Sequence, residues 1–245
     1  MRIPRIFTER SLQATTRIEL DTAPSQHISR VLRMRVGEPL TLFNGRGGEY
    51  PASIVALGKK SVTVETTAYH HREVESSLSV HLGIGISRGE RMDWIIQKTT
   101  ELGVNSLAPL FTARTEVKLK NDRAAKKMKH WHQIAISASE QCGRNQIPTI
   151  HPPQQLADWL EATTADRKLV LHHRTTPVMQ TPTRPTSVAL LTGPEGGLSE
   201  AEISAAEQAG YQSLTLGPRV LRSETAPLAA LAILQAQWGD MPPEV

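Results

Sequence analysis

Leu190-Leu191-Thr192-Gly193-Pro194-Glu195-Gly196-Gly197-Leu198-Ser199 (190–199) reads as a buried strand that breaks into a glycine-rich turn and restarts as a helix. Ser199 with Glu202 three residues on is a capping box, which marks the helix start. Glycine lets the backbone take positive φ and come close to a ligand. In open α/β sheets ligands settle beyond the carboxyl ends of the strands. A plain strand-to-helix connection rarely needs three glycines, a proline and an acid within five residues. The turn is therefore both a fold marker and a candidate binding loop. It is not a Walker A motif, because no Gly-Lys-Ser/Thr follows, nor a G-x-G-x-x-G fingerprint.

A second turn of similar build occupies Leu214-Thr215-Leu216-Gly217-Pro218-Arg219-Val220-Leu221-Arg222-Ser223-Glu224-Thr225-Ala226-Pro227 (214–227). Gly217-Pro218 ends a strand, and Arg219, Arg222 and Glu224 crowd the bend. Thr225 or Ser223 is placed to cap a helix that carries Pro227 in its first turn. If the two strands are neighbours, the turns enclose a pocket walled by backbone amides and carbonyls, which suits a purine edge and a sugar. A solvated ion-pair network with Glu224 accounts for the arginines equally well at this point.

Working outward, Val80–Ile86 is a buried-strand run. Glu90–Leu102 is a helix with Met92, Ile95, Ile96 and Thr99 on one stripe, stopped by Gly103. Leu107–Phe111 and Leu169–His172 read as strands, and 121–139 as a long helix capped by Asn121. Thr175–Pro185 is a Pro/Thr loop. This β-α alternation from residue 73 to 245 predicts a mostly parallel sheet covered by helices. Residues 1–72 have a different rhythm. Pro39–Phe43, Glu49–Ala56 and Ser61–Thr67 are short strands joined by turns at Asn44-Gly45 and Gly58-Lys59-Lys60. A helix over His27–Met34 is expected to send Ile28, Val31 and Leu32 inward and Arg30 and Arg33 outward. Short strands with one helix suggest a small β-barrel, and the boundary is expected near Arg72–Ser77.

Charge follows this division. Residues 1–72 carry 11 Lys and Arg against 6 Asp and Glu, a balance of +5, whereas 73–245 carry 17 against 18. A concentrated cationic face attracts a polyanion and displaces its counterions. The set comprises Arg2, Arg5, Arg30, Arg33, Arg35, Arg46, Lys59 and Lys60, whose guanidinium members fork onto phosphates. Aromatic residues make up only 4% of the chain, so phosphate contacts rather than base stacking should dominate. Cys142 is the chain's one cysteine, which excludes an internal disulfide and fits a reducing compartment. The nine histidines show no zinc spacing, so no metal is expected. No apolar run approaches the roughly 20 residues that span a bilayer, and no signal sequence is evident; a cytoplasmic protein is expected.

The strings 191–203 and 216–232 resemble the ribosomal small subunit methyltransferase E family. The likeness extends to Gly89–Gly103, to Glu140-Gln141-Cys142-Gly143-Arg144, and to His27–Arg33 with Phe43-Asn44-Gly45. It therefore covers nearly the whole chain. The resemblance implies a PUA-like RNA-binding β-barrel domain over 1–72. It implies a SPOUT methyltransferase domain over 73–245 with a deep trefoil knot, a topology that general folding rules would exclude as too rare. It implies a homodimer that uses S-adenosyl-L-methionine to methylate N3 of one uridine of 16S rRNA in the small ribosomal subunit. Cofactor contacts are implied at Leu171, Leu191, Thr192, Gly193, Glu195, Gly196, Gly197, Leu216, Gly217, Arg219, Val220 and Leu221. RNA contacts are implied at Arg2, Arg5, His27, Arg30, Arg33 and Arg46. Two departures stand out: His172-His173-Arg174 where the family often carries Pro-Glu, and Ser223 where it often carries Thr.

Such an enzyme must hold N3 in line with the methyl and stabilise charge on the uracil oxygens. Arg222 or Arg144 is the expected donor, with Glu224 or Glu195 orienting it or accepting the proton. A base paired in a duplex hides N3, so the target must be unpaired or extruded. A non-catalytic RNA-binding assembly factor, a nucleotide hydrolase and a methyltransferase of tRNA remain open alternatives.

Overall fold

The computed structural model of the chain describes residues 3–117, 119, 122–172 and 184–242. It divides into two compact units, Met1–Glu75 with Ser139–Ile147, and Ser76–Ala138 with Pro148–Val245. Arg2, Asn121, His173, Arg174 and most of the Pro/Thr loop lie outside the described residues.

In the first unit, alternation decides the strands. Val62, Val64 and Thr66 are buried while Thr63 and Glu65 are only half-buried, the period of two that a one-sided strand requires. Five strands, β1 (Arg5–Phe7), β2 (Arg17–Glu19), β3 (Pro39–Phe43), β4 (Tyr50–Leu57) and β5 (Val62–Thr66), pair in the order β1-β3-β4-β5-β2. β1 runs parallel to β3 and the other pairs are antiparallel. Ile6, Leu20, Leu40, Leu42, Ile54 and Val64 are among the side chains that form its core. The exposed edge of β1 is occupied from residues 139–147: Glu140 Oε1 accepts the Phe7 N–H at 2.9 Å, and Arg5 donates to the Asn145 side chain and the Arg144 carbonyl.

The helix near residue 30 differs from expectation. α1 (Thr22–Gln26) continues as a π-type turn over His27–Val31. Leu32 N–H bonds to His27 O at 2.9 Å, five residues back, so each turn holds an extra residue and the side chains rotate off the 3.6 period. Ile28 is buried as expected, but Val31 and Leu32 are 67% and 39% exposed. They do not go inward.

In the second unit, near-continuous apolar runs become central parallel strands covered on both faces. β6 (Ser79–Gly85), β7 (Ser106–Phe111), β8 (Thr149–Ile150), β9 (Gln154–Gln155), β10 (Arg167–Leu171), β11 (Ser187–Thr192) and β12 (Gln212–Leu214) form one parallel sheet. Its order is β12-β10-β11-β6-β7-β8, with β9 also on β7. The helices are α2 (Glu90–Glu101), α3 (Asp122–Cys142), α4 (Leu156–Ala162), α5 (Glu200–Gln208) and α6 (Thr225–Trp238). α2 buries Met92, Ile95, Ile96, Thr99 and Thr100, a stripe at helical spacing, and Gly103 with φ of 83° stops it. α5 carries the full capping box: Ser199 accepts from Glu202 N–H, and the Glu202 carboxylate accepts the Ser199 N–H at 2.8 Å. At α6 the N-cap is Glu224 and makes no side-chain cap bond, so neither Thr225 nor Ser223 caps it. The Arg222 carbonyl accepts from Thr225 and Ala226 N–H there instead.

Because the α5 cap also ends the glycine turn, Ser199→Ala should lower unfolding stability by about 1 kcal/mol with an unchanged denaturant slope, read by urea titration.

Candidate active site

The sheet order sets the site. β11 feeds the glycine turn and β12 feeds the second turn, with β10 between them. The turns are thus one strand apart rather than adjacent, and the end of β10 floors the space they enclose. Leu171, His172, Thr192, Gly193, Glu195–Gly197, Leu216, Gly217, Arg219, Val220 and Leu221 line one cleft with Pro194, Leu214, Thr215, Ser223 and Ala226. Of the residues implied for cofactor contact, Leu191 alone lies away from the lining, fully buried in β11.

Steric crowding dictates the glycines. A Cβ on Gly193 would sit 2.7 Å from the Gly197 carbonyl carbon and Leu198 N, so the turn closes on itself only with glycine there. Gly85 in β6 makes room for Pro194 in the same way. The turn is also fixed by charge. The Glu195 carboxylate accepts from Arg88 N–H at 2.8 Å and from Arg91 Nη1 at 2.9 Å. Arg91 Nε lies 3.8 Å from Glu224 Oε2, so one guanidinium ties both turns to α2. Sequence reasoning missed Arg91 as a site residue. Its signal was a cation in the first turn of a helix, which the helix dipole disfavours unless anions meet it.

The cleft suits an adenosyl group. Its walls are Leu171, Leu214, Leu216, Val220 and Leu221 and glycine backbone, matching an aromatic base and a ribose. Thr192 Oγ1 is buried at the cleft with no hydrogen-bond partner among the described residues, a donor and acceptor awaiting one. Val220 is 78% exposed on the rim, an apolar surface that a ligand would cover.

The candidate catalytic residues differ in their commitments. Arg222 is exposed, and the cleft-lining Leu221 and Ser223 flank it. Glu224 is mostly shielded and accepts from Ser223 Oγ at 3.1 Å as well as facing Arg91. Arg144 belongs to the first unit, where its buried guanidinium grips Glu75 through Nε at 3.0 Å and Nη2 at 2.6 Å. Burial alone would raise the Glu195 carboxyl. The Arg88 N–H, its own backbone N–H and the Arg91 guanidinium outweigh that and hold it below the ordinary carboxylate range. It is a poor proton acceptor near neutrality and a good anchor.

The basic residues of the first unit also separate. Arg5 is buried, paired with Glu49 and bonded to Asn145, so it ties the unit together rather than facing solvent. Arg30, Arg33 and Arg46 are exposed, Arg33 at a positive φ of 54°, and His27 is half-buried. Cys142 is half-buried, its thiol 3.8 Å from the Ser139 carbonyl oxygen. Among the described residues no group of three or more His, Cys, Asp or Glu is arranged to hold a metal ion, and no helix is long and apolar enough to cross a membrane.

The fold and cleft define an RNA methyltransferase. Residues 74–235 match the RNA methyltransferase domain family, and residues 20–67 match the RNA methyltransferase PUA domain. Ribosomal RNA small subunit methyltransferase E of Buchnera aphidicola is 37% identical over 98% of both chains, and that of Bacillus subtilis is 30% identical over 94% of both. A putative methyltransferase of Legionella pneumophila, solved with bound S-adenosylmethionine, is 44% identical and superposes with a TM-score of 0.94, covering 98% of this chain and all of that one. Ribosomal RNA small subunit methyltransferase E of Neisseria gonorrhoeae, also bound to S-adenosylmethionine, is 36% identical with a TM-score of 0.91, over 98% of this chain and 99% of that one. The chain belongs to the ribosomal RNA small subunit methyltransferase E family.

Glu195 supplies a pH test of the clamp. A depressed carboxyl contributes stability that is present above the unfolded-state pKa of about 4.3 and is lost as pH falls through the lower folded value. Glu195→Gln should therefore be less stable than wild type at pH 7, and the difference should close in acid below the ordinary carboxylate range, as followed by urea melts at several pH values.

Proposed function

We propose that this protein transfers a methyl group from S-adenosyl-L-methionine to N3 of one uridine of 16S rRNA in the small ribosomal subunit. The carrying observation is the cleft of two turns clamped by Arg91, with the unpartnered Thr192 hydroxyl inside it, in a chain of this family. S-adenosylmethionine, when bound, supplies a methyl already activated on a sulfonium. Thr192, the glycine turn and the leucines of the second turn would hold the adenosyl part, with Arg219 at the rim.

The protein's own contribution is position and charge. Uracil N3–H is a weak acid, and a guanidinium beside O2 or O4 strengthens it by stabilising the anion. Arg222 suits that role: its carbonyl is fixed by two N–H donors, its side chain is exposed, and it sits between cleft residues. Arg144, gripped by Glu75 within the first unit, is spent on holding that unit together. Glu224 and Glu195 are engaged in holding the turns, so the N3 proton would leave to water rather than to either carboxylate. Arg30, Arg33 and Arg46, with His27, would grip phosphates around the extruded nucleotide and set its register.

We infer further that the C-terminal part carries the knot its family implies. α6 follows the edge strand β12 yet packs back on β11 and α2, two strands in from that edge. We infer a homodimer working in the cytoplasm. Trp94 on α2 and Ile233 on α6 are 43% and 44% exposed on helices that pack together, an apolar surface that a second copy would cover.

Nucleoside mass spectrometry of 16S rRNA from cells with and without the protein tests the main reading. 3-Methyluridine should vanish with the gene and return with it, and its persistence would sink the proposal. Arg222→Ala should reduce turnover by about 100-fold, the scale of one lost transition-state donor, while calorimetric affinity for S-adenosylmethionine changes little.

A further inference from the structure

Next to the cleft is a second recess, and Glu195 and Gly196 line both. Its other charged residues are Arg88, Arg91, Arg114 and Glu116. Three guanidiniums thus face two carboxylates. Arg91 is paired with Glu195, and Arg88 is paired with Glu116. Within this recess Arg114 is the cation with no carboxylate paired to it among the described residues: its Nη1 donates to the Gly196 carbonyl at 2.6 Å, a neutral partner.

The loop that carries Arg114 follows β7, at the carboxyl end of a parallel strand, where such sheets bind ligands. It is pinned on both sides. Thr112 N–H bonds to Thr115 Oγ1 at 3.1 Å, Thr115 N–H bonds to the Thr112 carbonyl at 3.0 Å, and Ala113 N–H bonds to Glu202 Oε1 at 2.7 Å. Glu202 is the same residue that completes the α5 capping box. The Arg114 stem also lies over the glycine turn, since a Cβ on Gly196 would come within 3.1 Å of the Arg114 Cβ. An exposed, rigidly mounted guanidinium therefore stands beside the turn that forms the cofactor cleft.

We propose that this recess binds a backbone phosphate of the RNA strand carrying the acceptor uridine, with Arg114 as the principal contact and Arg88 beside it. The assignment rests on the reading of the protein as a small-subunit rRNA methyltransferase. A planar guanidinium matches a phosphate through two parallel N–H donors. A phosphate held at this point would fix the strand next to the methyl donor, where register matters most. The same anion chemistry is offered by the carboxylate of the cofactor's methionine end, so the test separates the two sources.

Full-length wild type, Arg114→Ala and Arg114→Lys are compared in methyl transfer to small ribosomal subunits at several salt concentrations, with S-adenosylmethionine binding measured by calorimetry. Arg114→Ala should raise the KM for the subunit about tenfold, the scale of one charge-assisted contact, with kcat within about twofold. It should flatten the slope of log affinity against log salt by about 0.7 to 1, while cofactor affinity, which the freed Gly196 carbonyl touches, falls by less than about twofold. Arg114→Lys should recover part of the KM, because a point charge still meets a phosphate without the fork. A loss of cofactor affinity in Arg114→Ala as large as the rise in KM would assign the recess to the methionine carboxylate and overturn the proposal, as would wild-type KM and salt slope in that variant. A wild-type protein that transfers no methyl to the subunit would instead remove the functional reading and this proposal with it.

Discussion

The guanidinium of Arg91 links the two turns of the site. Sheet order brings those turns to either side of β10, and the one cation then meets Glu195 in the first and Glu224 in the second. Everything else about the cleft is permissive: glycines that allow tight approach, leucines that offer a smooth wall, a hydroxyl left without a partner. The first turn of α2 also carries Glu90 and Asp93, so Arg91 stands among acids there as well as facing Glu195 and Glu224.

This arrangement changes how the acidic residues of the motifs should be understood. Glu195 and Glu224 look in the sequence like acid–base candidates beside a reactive centre. In the folded protein both are committed to cations or hydroxyls, and Glu195 is held more acidic than an ordinary carboxyl. Chemistry that needs no strong base is compatible with that commitment. An acceptor nitrogen that is already weakly acidic and a donor that is already activated ask the protein for geometry and a well-placed positive charge.

Much of the architecture was legible where elements were long and periodic. The Val62–Thr66 alternation, the Met92–Thr99 stripe and the Ser199–Glu202 box each state their structure locally, and each appears as read. Elements of two or three residues, such as β1, β2, β8 and β9, are too short to show any period. The seven-residue α4 was missed for the same reason; it is fixed by packing, its Trp159 ring resting where Gly83 leaves β6 bare. Val31 and Leu32 were misread because a π-type turn breaks the angular rule on which the reading depends. The cleft's glycines were visible in the sequence, but Arg91 and Arg114 were not. Their meaning lies in partners about a hundred residues away, at positions 195 and 196, and no local pattern encodes that.

The first unit is not a continuous piece of chain. On the outer side of β1 the Phe7 N–H is met by Glu140, and the Arg5 guanidinium by the Arg144 carbonyl and the Asn145 side chain, more than a hundred residues downstream. A ribosome making this protein therefore exports an N-terminal unit that stays incomplete, one sheet edge bare, until the middle of the chain has emerged. The N-terminal half cannot finish first and wait for the rest, as separately encoded domains commonly do. Its completion waits for residues 139–147 to emerge.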